Sequence, residues 1–153
     1  MIFLDSYVSE NFEEEQSLFF TILYHDCRNG QIIQMVKRDE QVQQFSTCDI
    51  NQLAYTGTDG NVYVSINTFK GKKRVASQVF NQTALFIDLD CHDSQSEEEL
   101  ERVKKRTIQV LEKTFDGGEL LTPTMITETG RGFGLFYVLK NSIANMPPSF
   151  LPA

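Results

Sequence analysis

Cysteine is scarce in this chain, and the three present, Cys27, Cys48 and Cys91, form an odd set with no CxxC spacing. That composition argues against a disulfide framework, and reduced thiols fit the cytosol. Histidine is scarcer still. His25 and His92 each lie beside a cysteine, as His25-Asp26-Cys27 and Cys91-His92, but structural zinc sites show short paired-ligand spacings that are missing here. No stretch reaches the ~18–20 apolar residues of a membrane span. The N-terminal Met-Ile-Phe-Leu-Asp-Ser also lacks the basic region and apolar run of a signal peptide. The expected location is cytoplasmic, with no membrane partner. Positive charge is in deficit, with 14 Lys and Arg against 21 Asp and Glu and a net charge of −7. This excludes wholesale wrapping of nucleic acid while leaving room for a local basic groove.

What is present suits one globular domain with a real core: 153 residues, 41% of them apolar. The expected domain covers residues 1–140. An unstructured tail is expected over 141–153, which carries Pro147, Pro148 and Pro152 and no periodicity. Residues 16–24 read as a strand or a short helix. Asn29-Gly30 signals a turn leading into a strand over 31–36, and the two flanks suggest a hairpin. Residues 39–45 read as a polar loop or short helix. A second turn cluster, Thr58-Asp59-Gly60-Asn61, precedes a β-branched and aromatic strand over 62–67.

The second half has a clearer pattern. Residues 83–90, Thr-Ala-Leu-Phe-Ile-Asp-Leu-Asp, read as a buried central strand. A polar loop follows, and Ser96 with Glu99 has the spacing of a capping box. Leu100, Val103, Thr107, Val110, Leu111 and Phe115 recur at helical spacing, and Asp116-Gly117-Gly118 ends that helix. Residues 123–128 and 133–139 read as strands joined by a tight turn at Thr129-Gly130-Arg131-Gly132.

Three groups of residues carry chemistry. Side chains alternate along a strand, so Asp88 and Asp90 share a face at a separation of ~6.5–7 Å. Two carboxylates held that close repel each other, and a hard cation such as Mg²⁺ or Mn²⁺ relieves the repulsion. The plainer alternative is a strand that ends near Asp88 with both acids solvated. The Thr129–Gly132 turn offers two glycines that permit positive φ and close backbone approach, successive N–H groups for an anion-binding nest, and Arg131 for bidentate grip on phosphate. Its plainer alternative is a hairpin with an exposed arginine. The basic segment containing Lys70, Lys72, Lys73 and Arg74 suits contact with nucleic acid or nucleotide, or else forms a solvated turn.

The run Leu85-Phe-Ile-Asp-Leu-Asp90, then a helix, then Thr129-Gly-Arg-Gly-Phe-Gly-Leu-Phe-Tyr137 resembles the archaeo-eukaryotic primase superfamily. The likeness is to the primase-polymerase domains of replication proteins from plasmids and other mobile elements. The segment from Tyr63 to Phe69, with Arg74, is similar to the stretch leading into the first motif there. The resemblance spans about residues 60–140. It implies an α+β fold with an RRM-like primase core: a mixed or antiparallel sheet with a helix packed on one face. It also implies that Asp88 and Asp90 are catalytic metal-binding acids for Mg²⁺ or Mn²⁺, and that Thr129, Gly130, Arg131 and Gly132 bind nucleotide phosphates.

The implied partners are a DNA template, nucleoside triphosphates, and a helicase or further domains of a larger replication protein. Two departures stand out. The family's second motif, of the kind Ser-Gly-Arg-Gly-x-His, ends here on Gly134, and the acid of its third motif has no counterpart, although Asp93 and Glu128 are nearby carboxylates. The expected function is metal-dependent, template-directed nucleotide addition by a DNA primase or polymerase domain that is incomplete in this chain. The alternatives are a non-catalytic nucleotide- or nucleic-acid-binding initiator module and a metal-dependent phosphoesterase or nuclease.

Overall fold

Helix α1 spans Phe12–Leu23 and places Phe20, Leu23 and, just beyond its end, Tyr24 on one buried stripe. Spacings of three and four residues line them up on a single face. The ambiguous 16–24 segment is therefore helical. In the computed structural model the described residues are 12–26, 30–53, 61–91 and 96–144. The turns expected at Asn29 and at residues 58–60, the loop at 92–95 and the tail beyond 144 lie outside them. The class is α+β.

Two sheets follow. The first joins β1 (Ile32–Arg38), β2 (Gln41–Thr47) and β3 (Asn61–Val64) in the order β2-β1-β3, all antiparallel. Pairing of Arg38 with Gln41 closes a two-residue turn, with Asp39 at φ 50°. Residues 41–45, read from sequence as loop or helix, are thus an edge strand. Apart from Val42 and Phe45 their side chains are polar, as the exposed edge allows, and Asp-Glu is not among the usual Asn-Gly hairpin signals. The partners of β1 are β2 and β3, so the expected pairing of β1 with the segment before Gly30 does not occur. The second sheet has the order β4-β5-β7-β6, with β4 at Thr68–Phe69, β5 at Val79–Asp90, β6 at Met125–Thr129 and β7 at Gly132–Ala144.

Where the sequence suggested one domain, the chain divides into two compact units. One comprises residues 86–137, and the other the described residues of 12–85 with 138–144. In the latter, Ile33, Phe69 and Val79 form a buried cluster, and Phe20, Leu23, Ile32 and Leu53 are buried as well. The strand over 138–144 takes up residues that had been assigned to the tail. Asp26 explains this, since its carboxylate accepts the Ser142 backbone N–H at 2.8 Å. A ring nitrogen of His25 lies 3.1 Å from the Lys140 carbonyl oxygen. These bonds satisfy backbone groups that a free tail would leave to water.

The unit of residues 86–137 holds the end of β5, helix α2 (Glu97–Asp116), β6 and the start of β7. Ser96 caps α2, its hydroxyl accepting the Glu99 N–H at 3.2 Å. Gly118, at φ 70°, ends the helix in a conformation that disfavours other residues. Leu111 on the expected stripe is buried, whereas Val110 is exposed and Lys104 takes a buried place.

The Lys104 ammonium donates to Glu128 on β6 at 2.7 Å and lies 3.6 Å from Glu101. The Glu128 hydrogen bond, helped by both carboxylate charges, raises the Lys104 pKa above its ordinary value, while burial opposes the rise. Raised in the folded state, this group stabilises the fold fully below its unfolded pKa of about 10.4, and the contribution is lost as pH climbs through the higher folded value. Glu128→Gln is expected to cost about 1 kcal/mol at pH 7, since Glu128 itself is half in solvent, and to lower the melting temperature by ~2–4 °C. Melting curves of both proteins at pH 7 and pH 11 check this, because the gap should narrow at the higher pH.

Candidate functional site

The register of β5, β6 and β7 decides what surrounds the two aspartates. Phe86 lies against Phe136, with ring centroids 4.8 Å apart. At the other end, Gly132 packs on the backbone of Leu89 and Asp90, and the Cys91 N–H donates to the Arg131 carbonyl oxygen at 2.9 Å. These contacts make β5 and β7 antiparallel and set Asp88 opposite Gly134 and Asp90 opposite Gly132. Since β6 is antiparallel to β7, β6 runs parallel to β5, with β7 between them. With α2 as the connection, the unit contains a split β-α-β arrangement.

Alternation then assigns the faces. Phe86, Asp88 and Asp90 share one face with Gly132, Gly134 and Phe136, and with Met125, Thr127 and Thr129 of β6. Leu89, Cys91, Phe133, Leu135 and Glu128 take the other. Helix α2 meets that second face, through Lys104 on Glu128 and Thr107, whose hydroxyl lies 4.0 Å from the Cys91 sulfur. The acids therefore stand on the face away from α2. The strand is central, as expected, but its last part is not buried: Leu85 to Asp88 and Asp90 are all exposed, with Ile87 at 39%. Hydrophobicity alone suggested burial for this run. An apolar run in a central strand thus does not by itself set burial.

The Thr129–Gly132 turn is a hairpin tip with Thr129, Gly130 and Arg131 exposed. Neither Gly130 nor Gly132 adopts positive φ. Gly132 is required for a different reason, because a Cβ there would collide with the Leu89 carbonyl oxygen. A Cβ on Gly130 would meet nothing within 4 Å. The structure thus brings the tip of the Gly-Arg-Gly hairpin to the end of the strand that carries Asp90.

Gly134 was read as an empty histidine position. A Cβ there would sit 2.8 Å from the Thr127 hydroxyl oxygen and 2.9 Å from the Phe86 ring. The space a larger residue needs is already taken by Phe86, Thr127 and Phe136. Sequence reasoning missed Phe86 and Thr127 as neighbours of the acids. Alternation alone could have put Phe86 on the Asp88 face, but Thr127 required the register of β6.

Glu128 is not a third acid for this site, since it lies on the opposite face and binds Lys104. Asp93, Cys27 and His92 lie outside the described residues. Among the described residues there is no group of three or more His, Cys, Asp and Glu able to share a metal. Mg²⁺ commonly binds through only one or two carboxylates with waters and substrate phosphates completing the shell. Two exposed aspartates on one face fit that donor set.

Lys70, Lys72, Lys73 and Arg74 are exposed and belong to the other unit. Two bonds anchor the segment: Gln44 Nε2 donates to the Lys72 carbonyl oxygen at 2.8 Å, and the Lys70 N–H donates to the Gln78 carbonyl oxygen at 2.8 Å. A pocket of about 220 Å³ in that unit is lined by Ile32, Gln34, Phe45, Thr47, Gln52 and Leu53. It presents no titratable side chain for acid–base work.

The chain is similar to a replication protein of Clostridium perfringens, at 27% identity over 83 residues. The match covers 54% of this chain and 19% of that protein, so the chain spans about a fifth of the relative's length. This supports a relationship to replication proteins. No family model matches the chain. No solved structure matches it either. No helix among the described residues is long and apolar enough to cross a membrane.

Proposed function

We propose that this chain is the nucleotide-handling part of a replication protein, of the primase-polymerase kind. The observation that carries the reading is the β5–β7 register, which puts Asp88 and Asp90 on an open sheet face beside the Gly-Arg-Gly hairpin. Asp88 and Asp90 would hold Mg²⁺ or Mn²⁺. A bound divalent ion supplies charge neutralisation for a triphosphate and polarisation of an attacking hydroxyl. Arg131, at the exposed tip, suits bidentate contact with phosphate oxygens, with the Thr129 hydroxyl and Gly130 N–H as further donors. Asp90, at the hairpin end of β5, is the acid nearer to these donors. A DNA template and nucleoside triphosphates are the partners this chemistry calls for, and the likeness to a replication protein points the same way.

A non-catalytic nucleotide-binding module is the second reading. It is favoured by Gly134, where Phe86 and Thr127 occupy the room a phosphate-contacting side chain would need. Calorimetry with a deoxynucleoside triphosphate, and primer extension on a DNA template, separate the two.

With two carboxylates on this face among the described residues, metal and nucleotide should complete each other's site. Mn²⁺ alone and nucleotide alone are expected to bind weakly, and each should tighten the other by tenfold or more, the reciprocity that linkage requires. Extension together with this coupling supports the catalytic reading, and coupling without extension the binding module. Nucleotide binding indifferent to Mn²⁺ would sink the metal site.

A further inference from the structure

The first sheet has two faces with different fates. Ile32, Gln34 and Val36 of β1 point to a buried side. The other face begins buried at Ile33, against Phe69 and Val79, and opens toward the far end of β1. There Tyr63, Met35 and Gln44 form one row across β3, β1 and β2. Lys37 and Val42 form the next row on the same face. Tyr63 is 49% exposed and Val42 59% exposed. At ~4.8 Å between strands, Tyr63 stands about 10 Å from Gln44. Gln44 in turn holds the Lys72 carbonyl oxygen, which fixes the basic segment beside the open row.

Charge is concentrated here against the trend of the whole molecule. Lys37, Lys70, Lys72, Lys73 and Arg74 gather in this unit of a chain whose net charge is −7. All five are exposed, and among the described residues none has an ion-pair partner. The acidic tip Asp39-Glu40 bounds the face at one end. An exposed aromatic ring among aliphatic side chains, flanked by unpaired cations, matches what binds an unpaired polynucleotide strand: a stacking platform beside a backbone track. A duplex keeps its bases stacked on one another and has no use for the ring.

We propose that this face binds single-stranded nucleic acid, one base stacking on Tyr63 and the phosphates running along Lys72, Lys73 and Arg74. The proposal extends the sequence reading of the basic segment as a contact for nucleic acid or nucleotide, and rests on the DNA partner of the proposed function. It needs neither Asp88, nor Asp90, nor a metal.

The test is fluorescence anisotropy with labelled oligo(dT), oligo(U) and a duplex of equal length, in EDTA. Either single strand is expected to bind more tightly than the duplex. Tyr63→Ala and Tyr63→Leu should each weaken binding about fivefold or more, while Tyr63→Phe, which keeps the ring, should not. Lys72→Ala with Lys73→Ala and Arg74→Ala should flatten the slope of log affinity against log salt by about 2. Because EDTA leaves no divalent metal for the aspartate site, failure of the metal site and failure of this face are distinguishable. Wild-type affinity in a folded Tyr63→Leu protein, or equal affinity for the duplex, would overturn the proposal.

Discussion

A protein carrying both Asp88→Ala and Asp90→Ala is expected to lose the Mn²⁺-dependent part of nucleoside triphosphate binding while still folding. The size of the loss follows from the donor count. Among the described residues these are the two carboxylates on the open face, and Glu128, the nearest carboxylate in sequence on β6, is turned away and engaged by Lys104. Removing both therefore removes the carboxylates that the described residues offer on this face. Loss of the whole coupling between metal and nucleotide, tenfold or more, is the expected result. The fold should tolerate it. Both side chains are exposed, and exposed substitutions usually move stability little, so the melting temperature should stay within about 2 °C. Calorimetry and a melting curve on the same preparation check both halves. Undiminished Mn²⁺-dependent binding would show that the aspartates are solvated acids at a strand end.

The second large effect concerns the two glycines of the hairpin, which look alike in sequence and differ in the fold. Gly132→Ala is expected to destabilise the protein by about 2–4 kcal/mol. The added methyl collides with the Leu89 carbonyl oxygen, and main chain in a paired strand cannot move aside as a flexible side chain can. For a chain of this size that is a fall of ~5–15 °C in melting temperature. Gly130→Ala meets open space and should be nearly neutral. A pair of thermal melts decides it. Because Asp90 is the residue packed against Gly132, the same collision displaces the acid. Gly132→Ala should therefore weaken Mn²⁺-dependent nucleotide binding even below its melting temperature, whereas Gly130→Ala leaves the acids in place.

Much of the unit of residues 86–137 was readable from local pattern. The Ser96 cap, the stop at Gly117-Gly118 and the order strand, helix, strand, turn, strand all depend on interactions within a few residues, which one sequence records directly. The 41–45 strand was misread because its pattern is that of an exposed edge, polar throughout apart from Val42 and Phe45. The strand character of 141–144 was also missed, because it depends on Asp26, more than a hundred residues away.

The aspartate pair shows the same division. Alternation along a strand is a property of the backbone, so sequence alone determined that Asp88 and Asp90 share a face and that a Gly-Arg-Gly turn follows one helix later. Only the tertiary structure decided that this face is the one away from α2, that it is exposed, and that Gly132 and Gly134 stand opposite the acids. The register between β5 and β7 joins residues more than forty positions apart, and such pairing is set by packing that no local window contains. The same register, by crowding Phe86 and Thr127 around Gly134, explains why a side chain is missing at that position.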